Sequence, residues 1–162
     1  MPESRTMNLF ITVFYDWSKV VAGWVSWLAP LAARITVGWV FLWSGWEKLQ
    51  ILPTMVKRFA EWGIPAPEIM APLASGIEFV GGILLLIGLL TRFAAVPMMI
   101  VMVVAIASAK WGDVDSLETF LGFEEVSYFV MFAWLAIAGP GPVSVDHFVL
   151  KASGHSPSQH GA

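Results

Sequence analysis

The sequence predicts an all-α protein, a membrane-embedded four-helix bundle with an N-terminal interfacial amphipathic helix. The composition is the first reason: hydrophobic residues make up 57% of the 162 residues and charged residues only 13%, unlike ordinary soluble domains. The second reason is the recurrence of long apolar stretches, because a helix needs about 20 apolar residues to cross a bilayer. Four such helices with short connections would use most of the chain.

The chain divides into three parts by composition. Residues 1–29 contain the amphipathic helix, residues 30–150 contain the four spans, and residues 151–162 form a small, polar tail that we expect to be disordered. A single membrane domain with two appended segments is therefore predicted.

The N-terminal helix is predicted from a polar stripe. Polar residues recur at steps of three and four from Asn8 to Ser26, and tryptophans and aliphatic residues cover the rest of the helix surface. This pattern is typical of a helix in the membrane interface. The alternative is a fifth span with a buried pair of Asp16 and Lys19, but a polar stripe facing lipid would be costly.

The four spans follow in order along the second part. The predicted spans are Leu31–Leu49, Ile69–Leu90, Phe93–Ala109 and Glu125–Ala138. Pro30 suits the first turn of the first span, where a missing N–H is harmless. The run from Gly139 to Pro142 ends the fourth span. That span is short. Either it crosses a locally thin part of the bilayer, or Glu124 and Glu125 lie in the membrane interface at its start.

One glutamate is the most informative residue of the second span. Glu78 is the only ionisable residue between Ile69 and Leu90. A charged group at the bilayer centre costs several kcal/mol, so such residues usually face the bundle interior and mark functional sites. Glu78 is therefore the first candidate for a functional residue.

Small residues recur on the same faces as the charged residues of the first two spans. Small residues allow close helix–helix contact in membranes, so we expect these two faces to pack together. The predicted helix-packing residues are Gly38, Gly45, Ser75 and Gly82.

Helix geometry indicates which basic residues approach Glu78. If the two spans are antiparallel and Leu31 and Leu90 share one surface, a rise of about 1.5 Å per residue places Arg34 about 5 Å deep, Glu78 about 18 Å and Lys48 about 26 Å. We expect an ionised Glu78 paired with Lys48, Arg34 or both. This buried polar network either forms a quinone or proton site or only fixes helix register.

Several kinds of site are excluded or disfavoured. The absence of cysteine excludes disulfides, thiolate nucleophiles and iron–sulfur ligation by this chain. The three histidines, His147, His155 and His160, follow the last span, so we predict no metal site and no covalent cofactor. The net charge of −3 gives no basic surface for nucleic acid.

The membrane orientation is weakly encoded. The lysines and arginines expected on the two sides of the membrane are nearly equal in number. Arg34, near the start of the first span, shifts this count slightly, so that both termini are expected in the cytoplasm. We therefore expect a protein of the bacterial inner membrane with both termini cytoplasmic.

A set of short motifs over about residues 31–150 resembles the DoxX family of small four-helix membrane proteins. The motifs are Arg34 and Gly38, the run from Ser44 to Leu49, the run from Gly63 to Pro67, the run from Glu78 to Gly82, the run from Gly88 to Arg92, the run from Gly139 to Gly141, and the run from Ser144 to Asp146. Their order and spacing carry the resemblance more than any single motif does.

The resemblance implies a fold more firmly than an activity. The family is named after subunits similar to those of a thiosulfate:quinone oxidoreductase, and other members are associated with membrane oxidoreductase or oxidative-stress complexes. The resemblance therefore implies a non-catalytic, accessory membrane subunit of a respiratory or redox complex. Its partners would be the lipid bilayer and other membrane subunits, with quinone as the ligand.

Two other functions stay open on the sequence alone. The first is a purely structural or assembly subunit, in which the charges of Arg34, Lys48 and Glu78 serve only architecture. The second is a binder or transporter of a small lipophilic molecule. Four spans are few for a transporter, and the sequence shows no inverted repeat.

Overall fold

The computed structural model describes residues 3–153, with side chains from residue 12 onward, and this part of the chain contains helices and turns only. The helices are α1 Glu3–Val25, α2 Leu28–Gln50, α3 Leu52–Glu61, α4 Pro67–Ile87, α5 Thr91–Ala105, α6 Leu117–Gly122, α7 Glu124–Ala138 and α8 Val145–Ala152. A π-helical turn, Ile106–Lys110, and a 3-10 turn, Trp111–Asp113, extend α5. The predicted all-α membrane fold is confirmed.

Three stretches of the described chain are long and apolar enough to cross a membrane. They are Leu28–Gln50, Pro67–Ile87 and Thr91–Asp113. The fourth predicted span, α7, has 15 residues and packs against α5 and α2. It completes the bundle although it is shorter than the other three.

The bundle core lies between α2, α4, α5 and α7. Phe41 of α2 packs edge-on against Phe132 and Tyr128 of α7, with ring centroids 5.1 and 5.0 Å apart. Met98 and Met102 of α5 are buried in the same cluster. Apolar residues on one stripe of each helix thus explain why these four helices associate.

The closest helix contact joins α2 to α4 through small residues. A Cβ added at Gly45 would lie 2.7 Å from Phe79 Cα, and one added at Gly82 would lie 2.8 Å from Leu42 Cα. No larger side chain fits there without moving a backbone. Since the chain numbers rise along α2 and fall along α4 at these contacts, the two helices are antiparallel, as their small-residue faces predict.

The short helices α3, α6 and α8 lie in segments that the sequence analysis left without helices. In α3, Met55 and Phe59 follow each other at a helical step of four and pack against Ala71 of α4. This i, i+4 pair is the signal that the sequence analysis missed. As a result, α3 covers the end of the bundle where α2 finishes.

The two appended segments extend beyond the bundle. The described side chains of α1, from Thr12 to Val25, are exposed, and Trp24 reaches 80%. The placement of α1 in the membrane interface stays a prediction. Helix α8 extends to Ala152, so residues 151 and 152 are helical although we assigned them to a disordered tail. The rest of that predicted tail, residues 154–162, lies outside the described residues.

Candidate functional site

Glu78 forms a buried ion pair with Lys48 between α4 and α2, which we call the Glu78 pair. Lys48 Nζ lies 2.7 Å from Glu78 Oε1 and 2.6 Å from Oε2. Ser44 Oγ donates a third hydrogen bond, of 3.0 Å, to Oε2. The Glu78 side chain is 4% exposed and that of Lys48 is 34% exposed. The carboxylate is therefore buried but well satisfied by donors.

Arg34 does not join this network, so the expectation that it pairs with Glu78 is wrong. Arg34 is 1% exposed. Its Nη2 donates to the carbonyl oxygen of Val143, and its Nε donates to that of Pro30 over 3.4 Å. The physical reason is distance along α2, because 14 residues separate Arg34 from Lys48 and correspond to about 21 Å of helix.

Asp146 completes the contacts around Arg34, and we call this set the Arg34 junction. Asp146 Oδ1 and Oδ2 accept hydrogen bonds from the backbone N–H groups of Leu90 and Thr91, at 2.8 and 3.1 Å. Its own N–H donates to Gly88 O over 3.0 Å. Gly88 has a φ of +69° and lies so close to the Arg34 guanidinium that a Cβ would clash with it. The junction ties α8 to the turn between α4 and α5.

A cavity of about 320 Å³ lies beside the Glu78 pair, at the opposite end of the bundle from the Arg34 junction. Its wall is mostly apolar and includes Met55, Phe59, Ile64, Leu73, Ile100 and Val101. Lys48, Ser75 and Glu78 also line it. A mainly apolar pocket of this size with a few convergent polar groups is the usual form of a small-molecule site.

Ser75 and α3 shape the floor of this cavity. Ser75 Oγ donates to Ala71 O over 2.8 Å, so its hydroxyl proton is engaged within α4. Met55 and Phe59 close the cavity from α3, which is why the short amphipathic helix matters to the site. Of the predicted packing residues, Ser75 thus faces the cavity, whereas Gly38, Gly45 and Gly82 lie in the contact between α2 and α4.

A second ion pair lines the same cavity, and the sequence analysis did not identify it. Lys110 Nζ, at the end of the π-helical turn, lies 2.7 Å from Glu125 Oε2 in the first turn of α7. We call it the Glu125 pair. The available signal was the position of both residues at the same end of two adjacent predicted spans.

The charged residues of the site do not form a metal centre. Among the residues that the structure describes, no group of three or more His, Cys, Asp or Glu is placed to hold a metal ion. His147 lies in α8, with its ring centroid 6.3 Å from that of Phe148. His155 and His160 lie outside the described residues.

Comparison with known proteins identifies the family. The DoxX family profile matches residues 29–111. The membrane protein Rv3486 of Mycobacterium tuberculosis is 36% identical, with 75% of this chain and 81% of that protein aligned. The Bacillus subtilis protein named "Putative oxidoreductase CatD" is 29% identical over 76% of this chain and 89% of its own length. The inner membrane protein YphA of Escherichia coli is 31% identical over 72% and 86%.

No solved structure matches the chain. The profile match covers half of the chain and includes Arg34, Lys48 and Glu78. The motifs after the profile match, Gly139 to Gly141 and Ser144 to Asp146, are part of the resemblance that the sequence analysis gave for about residues 31–150. Together, the profile and these relatives show that this integral membrane protein belongs to the DoxX family.

Proposed function

We propose that this protein is an accessory membrane subunit of a redox complex, in which it anchors a partner and contributes a quinone or proton site at the Glu78 pair. The observation that carries the proposal is the apolar cavity with the Glu78 pair in its wall, in which the carboxylate is buried and the lysine is partly exposed. A buried ionisable group within a membrane bundle is a functional candidate, and one that opens into a cavity is a stronger one. The name of the relative CatD supports a redox role.

The residues of the cavity fit a quinone ring. A quinone is neutral and flat, has carbonyl oxygens that accept hydrogen bonds, and when bound supplies reversible two-electron, two-proton chemistry. Lys48 has three N–H donors, of which Glu78 engages two, so a third is left for a carbonyl oxygen. The apolar residues of α3, α4 and α5 would hold the ring and keep water away from it.

Glu78 is the group that would exchange protons at this site. Its carboxylate accepts hydrogen bonds from Lys48 and Ser44, which hold it at the cavity wall. Lys48 is one-third exposed, so it connects the buried carboxylate to the end of the bundle. A proton reaching Glu78 by this route would not need to cross the apolar core.

The proposal places the protein in the bacterial inner membrane with both termini in the cytoplasm. The relative YphA is named an inner membrane protein. In this orientation the Arg34 junction lies at the cytoplasmic end, and the cavity opens near the periplasmic face. Without cysteine, the chain cannot ligate an iron–sulfur cluster or use thiol chemistry, so the electrons would come from the partner.

Affinity purification from native membranes in mild detergent tests the proposal. We expect a stoichiometric dehydrogenase or cytochrome by mass spectrometry, and quinone in an organic extract of the purified complex. Recovery of the protein alone, together with unchanged redox activity of membranes that lack it, would contradict the proposal.

A purely architectural role is the second candidate, favoured by the complete pairing of Glu78. The double variant Lys48→Met/Glu78→Leu separates the two, because it removes both charges and leaves no unpaired charge. Under the proposal, the complex assembles but loses quinone-dependent activity. An assembled and fully active complex would favour the architectural role.

A further inference from the structure

The cavity beside the Glu78 pair is lined by two ion pairs rather than one. Lys110 and Glu125 line it together with Lys48 and Glu78. We propose that the Glu125 pair is a second ligand contact, so that the cavity takes a neutral ring with a hydrogen-bond acceptor at each of two opposite edges, the arrangement of a para-quinone. This inference rests on the proposed function, since it specifies the ligand of the same cavity.

The geometry of the Glu125 pair leaves donors for a ligand. Lys110 Nζ donates to Glu125 Oε2 over 2.7 Å, which engages one of its three N–H groups. The side chains are 32% and 14% exposed, so neither is fully enclosed by protein. Lys110 Nζ also lies 5.2 Å from the ring centroid of Phe123, which holds it at the start of α7.

The π-helical turn brings Lys110 to the cavity wall. Such turns interrupt α-helices at single sites and are frequent at functional positions. Three residues of this turn, Ser108, Ala109 and Lys110, line the cavity. Ser108 Oγ donates to Val104 O over 2.7 Å, so its proton is engaged within the helix. The side chains beside Lys110 in the cavity wall are therefore small.

The charge balance of the wall indicates a neutral ligand. The cavity is lined by two lysines and two glutamates, and each lysine pairs with one glutamate. A charged ligand would leave a net charge in a largely apolar pocket, which is unfavourable. Because the N–H groups that remain on both lysines are donors, the ligand needs acceptors at both ends and an apolar body between them.

Two probes with one and two carbonyl groups test this inference on the full-length protein in detergent. The first is 2-methyl-1,4-naphthoquinone. The second is 2-methyl-1-tetralone, in which a methylene replaces one carbonyl and the ring double bond next to the remaining carbonyl is reduced. The absence of cysteine removes the thiols with which naphthoquinones react. Isothermal titration calorimetry measures the Kd of each probe for wild type, Lys110→Met and the control Lys57→Met, an exposed lysine at the same end of the bundle.

We expect wild type and Lys57→Met to bind the quinone at least roughly ten-fold more tightly than the tetralone, since each hydrogen bond to a charged group contributes on that order. In Lys110→Met the quinone should lose roughly ten-fold in affinity and bind about as weakly as the tetralone. Lys110→Arg, which keeps a charged donor, should restore most of the preference for the quinone.

If Lys110→Met loses stability because Glu125 is left unpaired, Lys110→Met/Glu125→Gln gives the same comparison with both charges removed. Unchanged quinone affinity in the Lys110 variants, with affinity lost in Lys48→Met, would overturn this inference and leave the proposed function standing. Failure of wild type to bind either probe would instead overturn the proposed function itself.

Discussion

The two ends of the bundle both bury charge, and they differ in what borders that charge. At the Arg34 junction, the guanidinium donates to carbonyl oxygens and packs directly against Gly88. At the other end, the Glu78 carboxylate accepts three hydrogen bonds and borders a cavity of about 320 Å³. The adjoining cavity is the reason that the Glu78 pair is the candidate site.

The Arg34 junction joins three segments of the chain by hydrogen bonds. Asp146 holds the backbone N–H groups that begin α5, and Arg34 holds the connection between α7 and α8. One guanidinium nitrogen, Nη1, is buried without a hydrogen-bond partner in the structure. The free-energy cost of this unsatisfied nitrogen is offset by the packing of the rest of Arg34, which fills a close contact between three segments.

The largest effect on stability that we expect comes from removing the Arg34 side chain from the Arg34 junction. Arg34→Ala removes a fully buried side chain and its hydrogen bonds to two carbonyl oxygens, and should lower the free energy of unfolding by about 3–5 kcal/mol. Thermal unfolding in detergent measures the loss. The control Arg58→Ala, at an exposed position of α3, should change little. Wild-type stability in Arg34→Ala would show that the junction does not hold the bundle together.

The next effect separates stability from function at the cavity end. Lys48→Met leaves the Glu78 carboxylate without its cation and should lower stability by about 1–3 kcal/mol, less than a fully buried pair because Lys48 is partly exposed. Glu78→Gln in addition removes the unpaired charge, so unfolding measurements should show recovery of most of that loss. Quinone affinity should fall by roughly ten-fold in both variants, since each loses the Lys48 donor. Wild-type quinone affinity in the double variant would show that the Glu78 pair does not contact the ligand.

A smaller effect on stability comes from filling the cavity without touching a charge. Ala105→Leu adds three carbon atoms at the cavity wall and should weaken quinone binding by about ten-fold, with stability changed by less than about 1 kcal/mol. The matched control is Ala107→Leu, two residues further along on the exposed side of the same helix. Calorimetry on both variants measures the difference. Equal binding by the two variants would indicate that the ligand lies elsewhere.

The smallest effect should come from a carboxylate that takes part in neither the Arg34 junction nor the two ion pairs of the cavity. Hydrogen bonds from the Thr119 and Ser116 side chains lower the pKa of Asp115, which lies outside the membrane spans. A lowered folded-state pKa gives stability that is present above the ordinary value of 3.8 and is lost as the pH falls through the folded-state value. Thr119→Val should reduce this dependence, as measured by amide hydrogen exchange of α6 at several pH values below about 5. Unchanged pH dependence in this variant would assign the shift to another group.

The sequence was sufficient for the bundle and for half of the site. The small-residue faces of α2 and α4 predicted their contact, and helix geometry with antiparallel spans gave Lys48 and Arg34 as the basic residues that could reach Glu78. Both inferences depend on periodicity within single helices, which local sequence determines.

The remaining contacts depend on how distant segments meet. Arg34 bonds to the carbonyl of Val143, and a backbone acceptor 109 residues away leaves no pattern in the sequence. The contact of Lys110 with Glu125 depends on the rotation of α5 against α7 and on the π-helical turn, whose position no periodicity indicates. Helix α3 carries a local signal, the helical step of four from Met55 to Phe59, which the sequence analysis did not use.

The length of α7 has a consequence for the surrounding lipid. Its 15 residues correspond to about 22 Å of helix, against a hydrocarbon thickness of about 30 Å. Lipid acyl chains next to α7 must shorten or tilt to match it, at a cost of fractions of a kcal/mol per Å. Since α7 carries Glu125 in its first turn, we expect the fit of the cavity, and the affinity of its ligand, to depend on acyl-chain length in reconstituted bilayers.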